Sequence, residues 1–259
     1  FKELGLKQEV LDAVASLGFT EPSPIQQEAI PQLLTENRDL VGLAQTGTGK
    51  TAAFGLPMVN EVDFDSKKTQ GLVICPTREL CIQISKDFQA FSRNFRNANI
   101  VPVYGGASID TQTRQLSRGA QIVVATPGRL VDMIKRKRVD LSQVQFVALD
   151  EADEMLNMGF KEDIDGILSN TPDTKKTWLF SATMPREVVR IAKQYMTDPI
   201  EITVGTKNAT AKNIEHQYFR VNDRDRFDGL KRIIDFEPDM YGVIFCRTRR
   251  ETAEVAEKL

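Results

Sequence analysis

An α/β fold, a mostly parallel sheet with helices on both faces, is predicted by three features of the sequence. Short β-branched runs recur along the chain, helix-period stretches fill the intervals between them, and a glycine turn joins the first run to a helix. The runs fall at residues 39–44, 71–75, 99–104, 121–125, 145–149, 177–180 and 200–204. Helices are expected at 8–17, 25–34, 51–60, 78–91, 109–117, 129–135, 160–168 and 187–195, several of them opened by Pro, Ser, Thr or Asp.

After Val204 the pattern lapses into Gly205-Thr206-Lys207-Asn208-Ala209-Thr210-Ala211-Lys212-Asn213, which holds no large apolar residue and reads as a linker. Beyond it the β-α grammar resumes, with strands expected near 214–221 and 241–246 and helices near 226–236 and from 248 onward. The expected organisation is therefore a full unit over 1–204, a linker over 205–213 and part of a second unit over 214–259. That last piece sits near the lower size limit for folding alone. Phe1 in place of an initiator Met, and an amphipathic run reaching Leu259 without a stop signal, read as the cut ends of something longer.

Composition excludes more than it assigns. Hydrophobic residues make up 41% of the 259 and charged residues 27%, and no apolar run is long enough to cross a bilayer. A soluble, cytoplasmic chain with no membrane partner is expected. Lys and Arg total 34 against 36 Asp and Glu, a net charge of -2, so any contact with a polyanion has to come from local clustering. Cys75, Cys81 and Cys246 lack CxxC spacing and fit reduced thiols, with no disulfide framework or zinc site.

The run Leu40-Val41-Gly42-Leu43 leads into Ala44-Gln45-Thr46-Gly47-Thr48-Gly49-Lys50-Thr51 and then a helical stretch. Strand, glycine turn, Lys-Thr and helix together suit a nucleoside triphosphate. Backbone N–H groups converge on the phosphates, Lys50 reaches the β and γ phosphates, and Thr51 offers its hydroxyl to Mg²⁺. Ala44 stands where the usual pattern has Gly, so the loop must tolerate a Cβ there.

A second strand, Phe146-Val147-Ala148-Leu149, delivers Asp150-Glu151-Ala152-Asp153 to the carboxyl end where open α/β sheets place their chemistry. Alone, an acidic cluster at a helix start also reads as compensation of the helix dipole. Beside a phosphate loop, Asp150 is the expected partner of Mg²⁺, and Glu151 can orient and deprotonate an attacking water.

These two segments resemble the DEAD-box family of ATP-dependent RNA helicases, whose name the tetrapeptide at 150–153 spells. Further similar segments follow in order: Gly18-Phe19 with Pro22 and Ile25-Gln26, Pro76-Thr77-Arg78-Glu79-Leu80, Gly105-Gly106, Thr126-Pro127-Gly128-Arg129, Ser181-Ala182-Thr183 and Phe245-Cys246-Arg247-Thr248. Gly-Gly-Ala-Ser at 105–108 and Met-Gly-Phe at 158–160 look closest to bacterial members. The resemblance implies a RecA-like P-loop lobe with the start of a second such lobe, ATP and Mg²⁺ as cofactors, and RNA as partner. It also implies an arginine-rich motif from the second lobe beyond Leu259, so that 1–259 alone is expected to hydrolyse ATP poorly.

The residues can be read beside that resemblance. The Gln26 amide can pair with the N6 and N7 edge of adenine, favouring ATP over GTP. Phe19 is implied to stack on the adenine, or is an aromatic plug after Gly18, with Phe1 bracing the segment. Pro76, Thr77, Arg78, Gly105, Gly106, Thr126, Pro127, Gly128 and Arg129 follow expected strand ends and suit the sugar-phosphate backbone of single-stranded or duplex RNA, bound without base specificity. Such turns are also built for purely structural reasons, and RNA rather than DNA rests on the resemblance. Ser181 and Thr183 are implied to bond Asp153 and couple nucleotide state to the rest of the protein, or else to cap the next helix. His216 reads as packing. Lys135-Arg136-Lys137-Arg138 reads as a solvated helix terminus with no role. A non-hydrolysing RNA clamp and a DNA-directed motor of the same superclass remain as rival readings.

Overall fold

The computed structural model describes residues 1–36, 38–205, 215 and 217–259, which divide into two compact units, Phe1–Ala211 and Lys212–Leu259. In the first unit a 3-10 turn at Lys2–Leu4 and helices α1 (Gln8–Ser16) and α2 (Pro24–Thr35) precede the first strand. Strands and helices then alternate as β1 (Leu40–Leu43), α3 (Lys50–Glu61), β2 (Gly71–Ile74), α4 (Arg78–Phe91), β3 (Ile100–Val103), α5 (Ile109–Ser117), β4 (Ile122–Ala125) and α6 (Pro127–Lys135). The series closes with β5 (Phe146–Asp150), α7 (Ala152–Asn157), α8 (Lys161–Leu168), β6 (Lys176–Ser181), α9 (Arg186–Tyr195) and β7 (Ile200–Thr203). All seven expected runs are strands. Helix α7 was not among the expected helices, because it is too short to establish a period.

The strands pair in the order β3-β4-β2-β5-β6-β1-β7, and every pairing is parallel. Two-residue alternation sorts their side chains between two cores. On one face Val73, Cys75, Val124, Ala148, Trp178 and Phe180 pack with α1 to α4. On the other, Leu72, Ile74, Val123, Val147, Leu149 and Leu179 pack with α6, α8 and α9. Close approach fixes one detail near the site: a Cβ at Gly42 would lie 2.7 Å from the Phe180 ring, so only glycine lets that ring cover β1. At the amino edge, Asp39 accepts the Thr177 amide at 2.7 Å and the Thr197 amide at 2.6 Å, tying β1 to β6 and to the approach to β7.

A parallel sheet points every strand's carboxyl end toward one edge. The turns after β1, β2, β3, β4, β5 and β6 therefore share that edge, which is where the chemistry-bearing residues lie. Among the described residues no helix is long and apolar enough to cross a membrane. Cys75, Cys81 and Cys246 are free thiols.

The second unit holds a 3-10 turn at Asp223–Asp225, α10 (Arg226–Phe236) and α11 (Arg249–Lys258). Its expected strands are not formed among the described residues of 214–221 and 241–246, a correction to the β-α-β-α expectation. Ladder hydrogen bonds need a neighbouring strand, and a segment this short cannot cover both faces of a nascent parallel sheet. Tyr241, Val243 and Phe245 are accordingly exposed. The linker residues 206–213, with Ile214 and His216, lie outside the described residues.

Candidate functional site

The loop at 44–51 leaves β1 and enters α3 through two glycines in the left-handed region, Gly47 at φ 80° and Gly49 at φ 91°. Lys50 is buried and donates from Nζ to the Ala44 carbonyl at 3.0 Å, so the lysine stem folds back across its own loop. Thr48 Oγ1 closes the turn on the Gln45 carbonyl at 2.7 Å. The first amides of a helix have no intrahelical acceptor, and those of α3 open into a cleft of about 700 Å³. Phe19, Gln26, Thr46, Gly47, Gly49, Lys50, Thr51, Asp150 and Glu151 all line it.

Gln26 lines this cleft and is also bonded within the protein. Its Oε1 accepts the Ser23 amide at 3.0 Å, and its Nε2 donates to the Gly49 carbonyl at 3.0 Å. The side chain thus braces the start of α2 against the phosphate loop, and each end of the amide keeps a second donor or acceptor site for a base edge. The Ser-Pro-Ile-Gln spacing at 23–26 is that of a capping box, which opens α2. Phe19 is 40% exposed and stacks on Phe1 with ring centroids 6.4 Å apart.

Because Gln26 closes on Gly49, a Cβ there would collide with Gln26 Nε2 and lie 3.0 Å from Ser23 Oγ, in a backbone region that side chains avoid. Gly49→Ala is expected to open the loop, lowering stability by ~1–3 kcal/mol and nucleotide affinity at least ~tenfold. Thermal melts with and without nucleotide check both parts.

Asp150 ends β5 and is buried. Burial pushes its carboxyl up to about 6, with Lys50 opposing the rise and Glu151 adding to it. Glu151 follows at φ 53°, a left-handed conformation unusual for a side-chain-bearing residue, and its amide donates to Asp150 Oδ1 at 3.1 Å. In the sheet order β6 separates β5 from β1, so the acidic tip faces the loop across two strand spacings, about 10 Å, rather than from a neighbouring strand. That gap leaves room for a bound group between Lys50 and Asp150.

The intervening strand carries the third cluster. Thr183 donates to Asp153 Oδ2 from both its hydroxyl, at 2.6 Å, and its amide, at 2.9 Å. The Ser181 hydroxyl accepts the Asp153 amide at 3.3 Å. Partial burial alone would raise the Asp153 carboxyl, yet the bonds from Thr183 and Ser181 hold it below its ordinary value. Ser181 is fully buried and its carbonyl accepts the Ala44 amide at 3.1 Å, so one residue touches both the acidic segment and the phosphate loop.

The turns after β2, β4 and β3 stand side by side in the sheet. Arg78, Gly105, Gly106 and Gly128 are exposed there, whereas Pro76 and Pro127 are buried and shape the turns from beneath. The Thr77 hydroxyl accepts the Leu80 amide at 3.2 Å, capping α4, and Thr77 lines the cleft beside the phosphate loop. Thr126 precedes Pro127 at the start of α6. The Arg78 guanidinium lies over the Tyr104 ring at 5.1 Å. Arg129 donates to the Ala107 carbonyl at 3.1 Å and to Gln112 Oε1 at 3.2 Å, and Gln112 Nε2 reaches the Tyr104 carbonyl at 3.0 Å. Sequence reasoning missed Gln112 and Tyr104 as organisers of this row. A buried glutamine on an otherwise polar helix is visible only once α5 is placed on β3.

Among the described residues no group of three His, Cys, Asp or Glu side chains is arranged to hold a metal ion. Thr51 and Asp150 would provide two oxygens, which fits a small hard cation that completes its shell with phosphate and water.

A glycine loop at a helix start, a basic side chain and a strand-end carboxylate on one edge of a parallel sheet define a P-loop nucleotide-binding fold. The family model described as DEAD/DEAH box helicase matches residues 23–191. Over its whole length the chain is 48% identical to the DEAD-box ATP-dependent RNA helicase CshA of Bacillus cereus and 46% identical to the ATP-dependent RNA helicase DeaD of Mycobacterium tuberculosis. It covers 49% and 46% of those proteins, so it spans about half the length of the curated relatives it matches. A crystal structure of a DEAD box protein from the hyperthermophile Methanococcus jannaschii matches all of the chain and 69% of its own, at 40% identity and a TM-score of 0.76. The chain belongs to the DEAD/DEAH box helicase family.

Proposed function

We propose that the chain is the ATP-binding part of an ATP-dependent RNA helicase that opens short RNA duplexes locally, in the cytoplasm, without reading base sequence. The observation that carries this reading is the cleft in which Lys50, Thr51, Asp150 and Glu151 meet, on the same sheet edge as the turns of residues 76–78, 105–106 and 126–129. The names of the relatives supply RNA rather than DNA as the polyanion.

In this reading the loop amides and Lys50 hold the triphosphate, and Thr51 and Asp150 hold its Mg²⁺. When bound, that ion neutralises phosphate charge and polarises the γ-phosphoryl group. Glu151 orients a water and takes its proton. Phe19 flanks the base, and Gln26 positions the loop at Gly49. Arg78, Arg129 and the helix starts beside them hold RNA phosphates. Asp153, through Thr183 and Ser181, passes the state of the loop to the strand between the two halves of the site.

An arginine supplied by a second lobe is worth about 10³–10⁵ in rate. The chain alone is therefore expected to take up ATP in calorimetry while showing little RNA-stimulated phosphate release. The longer protein is expected to release phosphate in response to RNA and less so to DNA. Absence of adenine nucleotide uptake, or full turnover by the chain alone, would sink the reading.

A further inference from the structure

A groove of about 570 Å³ opens at the amino edge of the sheet, away from the turns just described. Lys67 and Lys68, on the approach to β2, line it together with Lys137 and Arg138, beyond the end of α6, and with Asp140 and Ser117. Four cations against one carboxylate give this lining a local charge of +3, in a chain whose net charge is -2. Lys68 meets Asp140 at 3.6 Å across an exposed pair. Among the described residues Lys67, Lys137 and Arg138 enter no ion pair.

Compensation of the α6 dipole does not account for this arrangement. Lys135 already lies in the last turn of α6, and Arg136 is bound to Asp132 at 2.6 Å. Lys137 turns the chain away in a left-handed conformation at φ 55°, and the other two lysines come from a different loop. That loop is fixed. A Cβ on Gly119 would lie 2.9 Å from Lys67 Cβ, Thr69 Oγ1 donates to the Ala120 carbonyl at 2.8 Å, and Gln121 Nε2 donates to the Ser66 carbonyl at 2.5 Å. The backbone that carries Lys67 and Lys68 is thus tied in place, which limits the ordering cost of binding there.

We propose that this groove is a second contact for the phosphate backbone of RNA, taking up the segment that flanks the strand held at the carboxyl-edge turns; this rests on the RNA-binding reading above. Helix α6 runs from the turn at 126–129 to the groove. Its nine residues span about 13 Å at 1.5 Å each, a distance that a few nucleotides of RNA can cover. No aromatic side chain lines the groove, so bases have no stacking platform and the contact reads charge alone.

The test uses the chain with Lys67→Ala, Lys137→Ala and Arg138→Ala combined, all exposed positions outside the nucleotide cleft and the carboxyl-edge turns. Binding is measured by fluorescence anisotropy to oligouridylates of about six and about twenty nucleotides across a salt series. Affinity for the short strand is expected to stay within about twofold, while the long strand loses ~tenfold and its slope of log affinity against log salt falls by about 2. Equal loss on both strands, or an unchanged long strand and slope, would overturn the proposal. A short strand that binds the wild type as tightly as the long one removes the groove alone; binding of neither removes the RNA reading as well. If the variant loses a polyglutamate ligand but keeps the long strand, the groove belongs to an acidic protein partner.

Discussion

Replacing Glu151 by Gln in the longer protein is expected to lower ATP hydrolysis by about 10²–10⁴, the range of a positioned general base, or roughly 3–5 kcal/mol of barrier. Nucleotide affinity should hold within about threefold, because Gln keeps the length and volume of the side chain and removes only its capacity to accept a proton. The backbone makes this substitution informative. Glu151 is held at φ 53° and ψ 49°, where any Cβ is strained, so Glu and Gln carry the same strain and the comparison isolates the carboxylate. Glu151→Gly provides the complementary case. It should relieve that strain and raise the melting temperature, yet lose hydrolysis to the same extent. Phosphate release at saturating ATP and RNA, beside equilibrium nucleotide binding, reads both quantities. Unchanged turnover in Glu151→Gln would remove this residue from the chemistry.

The framework of the first unit was legible because its strands are short, apolar and separated by helices of clear period. Runs such as Gly71–Ile74 and Ile122–Ala125 are buried on both faces and leave few alternatives. The phosphate loop was legible because its glycines are demanded by local backbone geometry, which sequence records directly. Sheet order was not. That β6 lies between β5 and β1 depends on pairings far apart in the chain, and it makes the acidic box the wall opposite the loop. Gln26 illustrates a second limit. An amide offers the same donors and acceptors to a base or to a loop, and its bond to the Gly49 carbonyl at 3.0 Å depends on a loop 23 residues away in the chain. In the second unit the pattern at 241–246 has strand character, but periodicity encodes a preference whose realisation needs a partner strand. The run Lys135-Arg136-Lys137-Arg138 reads by itself as a solvated helix terminus, because Lys67 and Lys68, which share its groove, are remote in sequence.

Asp150 carries the last prediction. Its carboxyl is pushed up to about 6 from an ordinary value of 3.8, chiefly by burial. Between those values the folded chain holds a proton that the unfolded chain has released, so stability falls as pH rises through the window. Above pH of about 6 both forms are ionised and the folded state bears the whole cost, about 3 kcal/mol for a rise of about two pKa units. Below pH of about 4 both are protonated and the cost vanishes. Asp150→Asn removes the buried charge while its amide oxygen can still accept the Glu151 amide. In chelator and without nucleotide the variant should therefore melt roughly 6–12 °C above the wild type near pH 8, with the gap closing toward pH 4. The same change takes away the proposed Mg²⁺ ligand, so added Mg-ATP should raise the wild-type melting temperature and leave the variant's nearly unmoved. A variant no more stable than wild type near pH 8 would show that Asp150 is not held ionised at a cost. Greater stability combined with an intact response to Mg-ATP would instead remove Asp150 from the ion site, because a charge kept in an apolar strand end against a penalty of this size has to be offset by whatever it binds.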